Sequence, residues 1–218
     1  FDYVFIMQSL NNNFNLSKGK WFAEINVNRN QSQNDFDVKK RDWKNKNAGF
    51  FSNSLSTTLG YKINKQNSLA IYSTFFNDER HFSLVSEFQT PTKYQNAYNR
   101  NLLHWKNEGE KHKSNARIAF LNESYKYFNN LPTTDFSSGK VNSIIAKYDF
   151  EYFISRNFSL NAILDYTNHK GSGINSGVKN AKQEIFSYGL LANHKLSKKL
   201  GYELGVKHEV NNSYENPL

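Results

Sequence analysis

The hairpin read at 144–167 constrains this chain more than any other stretch. After the turn at 154–157, Leu160, Ala162, Leu164 and Tyr166 fall on one face, while Asn161, Asp165 and Thr167 fall on the other, with Ile163 the exception. Before the turn, Ile144, Ala146, Tyr148, Phe150 and Tyr152 share a face, opposite Lys147, Asp149 and Glu151. A period of two belongs to a strand with a different environment on each side. The segment reads as an antiparallel hairpin with one oily face and one wet, charged face.

The same pattern recurs along the chain. Strands are expected at 4–16, 21–29, 50–63, 68–76, 98–106, 115–127, 184–196 and 200–210, besides the hairpin. In the first, Val4 and Ile6 are in phase with Leu10, Phe14 and Leu16, and at 98–106 Leu102, Leu103 and Trp105 do not fix a phase. Tight turns fall near Lys18, Lys65, Gly109, Arg156 and Lys198, and long polar connections at 30–47, 77–97, 129–142 and 169–182. The total is about ten strands of the length that crosses a bilayer. Short turns at one end and long loops at the other are the layout of a transmembrane barrel. One hairpin plus one loop takes about forty residues, longer than the strand spacing of a sandwich.

Composition supports a wall rather than a core. Hydrophobic residues make up 38% of the 218 positions, yet aromatics reach 16%, and mean hydropathy is −0.76. A barrel needs apolar residues only at alternate positions. No apolar run is long enough for a membrane-spanning helix, which leaves barrel strands open. With Cys at 0, no disulfide framework or thiolate metal site is available. The net charge of +9 comes from lysines scattered through turns and loops. It reads as solvated charge, so no nucleic-acid partner is expected. The chain opens inside a strand and stops without a closing element, and reads as one barrel segment, 1–218, either an internal piece of a longer protein or a mature chain with ends not included.

No catalytic or cofactor motif is found: no Gly-Lys-Ser/Thr phosphate loop, no Gly-x-Ser-x-Gly elbow, no His-Glu-x-x-His helix. Neither an enzyme nor a cofactor is expected. Asp78-Glu79-Arg80-His81 reads as a charged loop just past a strand end. His81, His104, His112, His169, His194 and His208 lack zinc spacing. Asp35, Asp37 and Asp42 lack the spacing and glycine of a calcium loop.

Trp21, Phe51, Tyr61, Tyr152, Phe158, Tyr166 and Tyr202 lie near turns or loop mouths, in phase with the aliphatics. They suit an interfacial girdle, with core residues or sugar-stacking platforms as the other readings. Leu160, Ala162, Leu164, Tyr188, Leu190 and Leu204 are expected to face outer-membrane lipid. Glu24, Lys147, Asp149, Glu151, Asp165, Glu203 and Lys207 fall on the other phase and are expected to face a hydrated lumen, where charge is cheap compared with a dry core. Trp43, His81, Tyr94, Tyr127 and Phe136 are candidate ligand contacts in the long loops.

Two runs carry a family resemblance: Asn-Ser-Leu-Ser-Thr-Thr-Leu-Gly-Tyr-Lys-Ile-Asn-Lys-Gln-Asn-Ser-Leu-Ala-Ile-Tyr-Ser-Thr-Phe-Phe-Asn-Asp-Glu at 53–79 and Leu-Ser-Lys-Lys-Leu-Gly-Tyr-Glu-Leu-Gly at 196–205. These hairpins resemble the barrel region of TonB-dependent outer-membrane receptors of Gram-negative bacteria. The resemblance implies a wide barrel of about 22 strands around a plug. It implies uptake of a scarce, bulky ligand such as an iron chelate, cobalamin or a glycan, powered through TonB. The chain shows no plug, no coupling segment and no closing aromatic strand, which suits part of a larger wall with the plug elsewhere. A passive outer-membrane channel and a secreted β-sandwich that binds carbohydrate remain the alternatives.

Overall fold

The computed structural model describes residues 7–37, 43–177 and 179–215, with side chains through 212. Twelve strands follow in order: β1 (Met7–Lys18), β2 (Trp21–Ser32), β3 (Phe36–Asp37), β4 (Lys44–Asn45), β5 (Phe50–Lys62), β6 (Asn67–His81), β7 (Lys93–Glu108), β8 (His112–Phe128), β9 (Ser137–Ser155), β10 (Phe158–Ile174), β11 (Asn180–Lys195) and β12 (Gly201–Glu215). Ten of them form one sheet in the order β1-β2-β5-β6-β7-β8-β9-β10-β11-β12, and β3 pairs only with β4. Every pairing is antiparallel. Neighbours in the sheet are neighbours in sequence, apart from the β3–β4 hairpin inside one connection. The sheet is open, with β1 and β12 as its edges.

Cross-strand partners share a face, so the register sorts the side chains. One row runs Leu16, Ala23, Leu59, Ile71, Leu103, Ile118, Ala146 from β1 to β9. From β9 to β12 the same face carries Tyr148, Leu164, Tyr188, His208 and, beside them, Phe150, Ala162, Leu190, Val206. An apolar belt thus crosses all ten strands. On β12 it runs from Tyr202 to Val210, about 26 Å along a strand at roughly 3.3 Å per residue. A strand tilt of about 40° brings that near 20 Å, comparable with the apolar band of outer-membrane barrels.

The described residues contain no buried hydrophobic side chain, and Trp21 (61%), Leu190 (63%) and Leu204 (66%) stand well exposed. The accessible surface is 15405 Å²; a compact soluble monomer of this mass has about 10,000 Å². A two-layer sandwich would have buried those leucines and tyrosines between its sheets. A single layer has no such interior, so the sandwich reading is removed.

The turn end is tight. Lys18 pairs with Trp21 across Gly19-Lys20. Gly19 has φ +59, and positive φ at the first central position alone is the II′ pattern, which follows strand twist and favours glycine there. Asn64 Oδ1 accepts the amides of Gln66 and Asn67 at 2.9 and 2.8 Å, and Ser197 Oγ accepts that of Leu200 at 3.1 Å. A register shift where β9 meets β10 places Ile154 as an extra residue between Phe153 and Ser155, bending that hairpin.

Several expected boundaries are corrected. β6 continues to His81 and β7 begins at Lys93, so much of the loop expected at 77–97 is strand. β9 begins at Ser137, and β10 runs through Gly171 and Gly173 to Ile174. These extensions are polar on both faces, and hydropathy alone cannot distinguish such a strand from a loop. β7 has a definite phase, with Leu103 and Trp105 opposite Ile71 and Leu69 on the belt face, and Leu102 on the other. Val4 and Ile6 lie outside the described residues.

On the face opposite the belt the Phe22 ring lies over Gly60, where an added Cβ would come within 1.7 Å of it. Gly60→Val is therefore expected to couple to Phe22. A double-mutant cycle with Phe22→Ala, followed by denaturant unfolding, should give a coupling of about 1 kcal/mol. Additive effects would mean that the ring moves aside freely.

Candidate ligand-facing loop rim

The long connections all lie at one end of the sheet, where side chains latch them together. The β2–β5 connection folds over the ends of β6 and β7. Asn34 takes φ 49, and its Nδ2 donates to Ala48 O at 3.2 Å. Asn45 is fully buried; its Nδ2 donates to Leu84 O at 2.8 Å, and its Oδ1 accepts the Asn47 amide at 3.1 Å. Asn47 Nδ2 donates to Phe82 O at 2.6 Å and Thr92 O at 3.1 Å. Two asparagines thus donate to backbone carbonyls of the β6–β7 connection, and Thr92 O also accepts from Phe82 N at 3.2 Å. The chain of contacts continues, as Leu131 N donates to Pro91 O at 3.0 Å and Asn175 Nδ2 to Phe136 O at 3.0 Å.

Glu79 is the hub beneath this cap. Its Oε1 meets His81 Nε2 at 2.8 Å, and its Oε2 accepts from Lys93 Nζ at 3.1 Å and Gln95 Nε2 at 2.6 Å. His81 Nδ1 meets Asn47 Oδ1 at 2.9 Å. The Asn47 amide nitrogen is committed to two carbonyls, so the His81 ring lies between the Asn47 side-chain oxygen and the Glu79 carboxylate. Burial pushes the Glu79 carboxyl up, but hydrogen bonds from Gln95, His81 and Lys93, with the Lys93 charge, outweigh it and bring it down to about 2. Lys93 also lies 4.9 Å over the Phe128 ring, and Phe128 sits 5.6 Å from Phe136. An open depression of about 570 Å³ beside the hub is lined by Gln31, Asp35, Phe51, Glu79 and His81, among others.

The five loop candidates all fall at this rim. His81 ends β6, Tyr94 and Tyr127 are opposed strand residues of β7 and β8, and only Trp43 and Phe136 lie in connections. The loop expectation for His81 and Tyr94 is thus corrected, because the strands pair further than their polarity suggested, while Tyr127 ends the strand expected at 115–127 and lies in β8. Glu79 links His81 through Lys93 and Phe128 to Phe136. Tyr127 reaches Phe82 at 6.5 Å, and Tyr94 stacks on Tyr125 at 5.7 Å. Trp43 stands apart from these contacts, its indole Nε1 buried and without a hydrogen-bond partner among the described residues.

Asp78-Glu79-Arg80-His81 is not one cluster. Strand alternation puts Glu79 and His81 on the belt side, and Asp78 and Arg80 on the other. The sequence reading missed Asn45, Asn47, Lys93 and Gln95. Period two at Glu79 and His81 was the one local signal, while the asparagine latches act across 34 or more positions.

Register also places the face residues. Leu160, Ala162, Leu164, Tyr188, Leu190 and Leu204 share the belt face. Glu24, Lys147, Asp149, Glu151, Asp165, Glu203 and Lys207 share the opposite one. There Arg117 pairs with Asp149, Lys147 reaches Asp165 at 3.6 Å, and Lys207 reaches Glu209 at 3.1 Å. Nearer the rim, Phe76 stacks on Tyr98 at 4.8 Å, and Arg100 lies 4.3 Å over Tyr98 while pairing with Glu123 at 2.5 Å. On β1 and β2 the same face is an amide lattice: Ser9 Oγ donates to Asn30 at 2.7 Å and Asn26 Nδ2 to Glu24 at 2.9 Å. Half-exposed pairs of this kind contribute under about 1 kcal/mol each. They make the face hydrophilic more than they stabilise it.

A carboxyl at about 2 when folded and 4.5 when free adds stability that is complete above pH 4.5 and is lost as pH falls toward 2. Protection of the His81 and Phe82 amides against hydrogen exchange, relative to the intrinsic rate at each pH, should therefore hold from pH 7 to about 4.5 and fall between there and pH 2. Glu79→Gln should exchange faster at pH 7 and show no such step. A step preserved in that variant would assign the effect to another group.

No protein-family model matches this chain, and no curated protein matches it. Among solved structures it resembles the FrpB iron transporter from Neisseria meningitidis, F3-3 variant, with a TM-score of 0.73 at 11% identity, over 96% of this chain and 40% of that one. The chain therefore spans less than half the length of that relative. At such identity the likeness concerns the fold: this chain has the antiparallel architecture of an outer-membrane β-barrel wall, as an open ten-stranded sheet.

Proposed function

We propose that the chain is part of the wall of an outer-membrane receptor that takes up a scarce, bulky ligand, with the belt face in lipid and the charged face lining a hydrated lumen. The observation that carries this reading is the single belt across ten strands opposite a face of ion pairs and amides. Lipid accepts a strand whose backbone bonds to a neighbour on each side, as the eight interior strands of the sheet do. In this reading Trp21 and Tyr61, 4.4 Å apart, sit at the turn-side interface with Trp105, Tyr152 and Tyr202. Strands of 15 to 19 residues from β6 to β12 exceed the roughly 9–11 needed to cross. The excess carries the loop rim clear of the membrane, where a ligand arrives.

Among the three ligand classes, an iron chelate is favoured, because the structural relative is an iron transporter. A plug domain and TonB coupling belong to the same proposal. The passive channel is the second reading, supported by the hydrophilic inner face alone. Deletion of the gene should abolish growth on one iron source under iron limitation, and uptake should stop when TonB is removed or the proton gradient collapsed. Uptake that persists without TonB would favour the channel.

Membrane orientation has its own test. Leu164→Arg should cost about 2–4 kcal/mol in lipid, while Asn161→Arg should cost little. Unfolding of the complete protein in vesicles measures both, and equal costs would overturn the assignment of faces.

A further inference from the structure

The belt face does not end at the belt. Toward the loop rim it passes through a row of amides, Asn122 opposite Asn142 and Asn101 bonded to Asn99 at 2.7 Å, and then changes character along its length. On β6 and β7 the cation is neutralised, since Lys93 is held by Glu79. On β8 to β11 four consecutive strands each present a lysine: Lys126, Lys140, Lys170 and Lys182.

Register fixes their relation. Lys170 stands directly opposite Lys182. Lys140 lies one step diagonally from Lys170, since its own partner there is Ser172, and one step from Lys126, whose partner is Ser138. Directly opposed like charges disfavour a sheet. Glu184, 3.0 Å from Lys182, is the one carboxylate on this part of the face among the described residues, and Tyr166 also donates to it at 2.8 Å. Four lysines against one glutamate leave an excess of three positive charges. Lys126, Lys140 and Lys170 are exposed.

The height of the row is informative. Lys140, Lys170 and Lys182 each lie four residues beyond the last belt residues Ile144, Tyr166 and Phe186. That is about 13 Å along a strand, and about 10 Å in height after tilt. The headgroup layer begins just outside the hydrocarbon and is several ångströms deep, within reach of a lysine side chain.

We propose that Lys126, Lys140, Lys170 and Lys182 form an exterior site for the phosphate groups of lipid headgroups in the leaflet at the loop side. The inference rests on the barrel reading, and adds to it a lipid partner bound by charge on one sector of the wall. An anion bridging the row would offset the excess charge of Lys126, Lys140 and Lys170, with Lys182 shared between it and Glu184. Ammonium groups take phosphate as point charges without a preformed fork, so four flexible lysines suffice.

The test uses the complete purified protein in neutral detergent, with bisphosphorylated lipid A as the probe. Three proteins are compared: unsubstituted, a fourfold Lys→Gln variant at 126, 140, 170 and 182, and the matching Lys→Arg variant. The Gln variant should lose at least about tenfold in lipid affinity, while the Arg variant keeps it. Lipid A stripped of its phosphates should bind the unsubstituted protein as weakly as the Gln variant binds the intact lipid. Equal binding by the Gln and unsubstituted proteins would overturn the site. So would inorganic phosphate alone binding as tightly as the lipid. Membrane fractionation separates the two ways of failing. Release of the unsubstituted protein without detergent sinks the barrel reading itself, whereas membrane retention with unchanged lipid affinity sinks only the lysine site.

Discussion

The structure depends on the backbone ladder. With no buried apolar side chain among the described residues, packing of a core does not hold the ten strands in place. Each interior strand instead exchanges hydrogen bonds with a neighbour on both sides, as in β9 between β8 and β10. In the proposed membrane setting those bonds are close to obligatory, because an unpaired amide finds no water in hydrocarbon. Register then matters more than in a soluble sheet. A slip of one residue would turn Leu164 and Leu190 onto the charged face and Asp165 onto the belt. Tight turns guard against that slip: the Gly19 turn, the Asn64 and Ser197 caps, and the extra residue at Ile154 each fix one hairpin where it closes.

This dependence explains what could be read in advance. Alternation identifies faces wherever one side is apolar, so Tyr148, Leu164 and Leu190 could be separated from Lys147, Asp149 and Asp165 without coordinates. The same logic fails where both faces are polar. Asn77, Asp78 and Glu79 continue β6, paired with Ala97, Asn96 and Gln95, yet nothing in their hydropathy distinguishes strand from loop. Leu102 and Leu103 hid the phase of β7 because apolar residues stand on both faces there. The rim latches were illegible for another reason. Asn45 and Asn47 look like loop asparagines, and their roles come from carbonyls at Leu84, Phe82 and Thr92 that folding brings beneath them. Sequence showed that the rim is polar, but not that it is built.

The two ends of the sheet are held by different means. At the turn end the backbone closes on itself within a few residues. At the loop end closure depends on side chains from distant parts of the chain, centred on Glu79 and the two asparagines. Side-chain latches can be released by protonation or by a competing ligand, whereas a two-residue turn cannot. In the proposed receptor, an end that meets a ligand benefits from such contacts, and they sit where strands outrun the belt.

Edge chemistry bears on what surrounds this sheet. Natural edge strands are blunted by charges, prolines or shortness. Here the belt keeps its character to both margins: Phe14 and Leu16 on β1 are 62% and 67% exposed, and Leu204 and Val206 on β12 are 66% and 67% exposed. The opposite face of β1 is likewise a regular row of Ser9, Asn11, Asn13 and Asn15 that matches its neighbour in kind. Two long unblunted edges, each apolar on one side and hydrophilic on the other, are the chemistry of interior strands. In the proposed wall they pair with further strands of the same alternation, since lipid leaves a 12-residue β1 and a 15-residue β12 no other way to satisfy their outer amides.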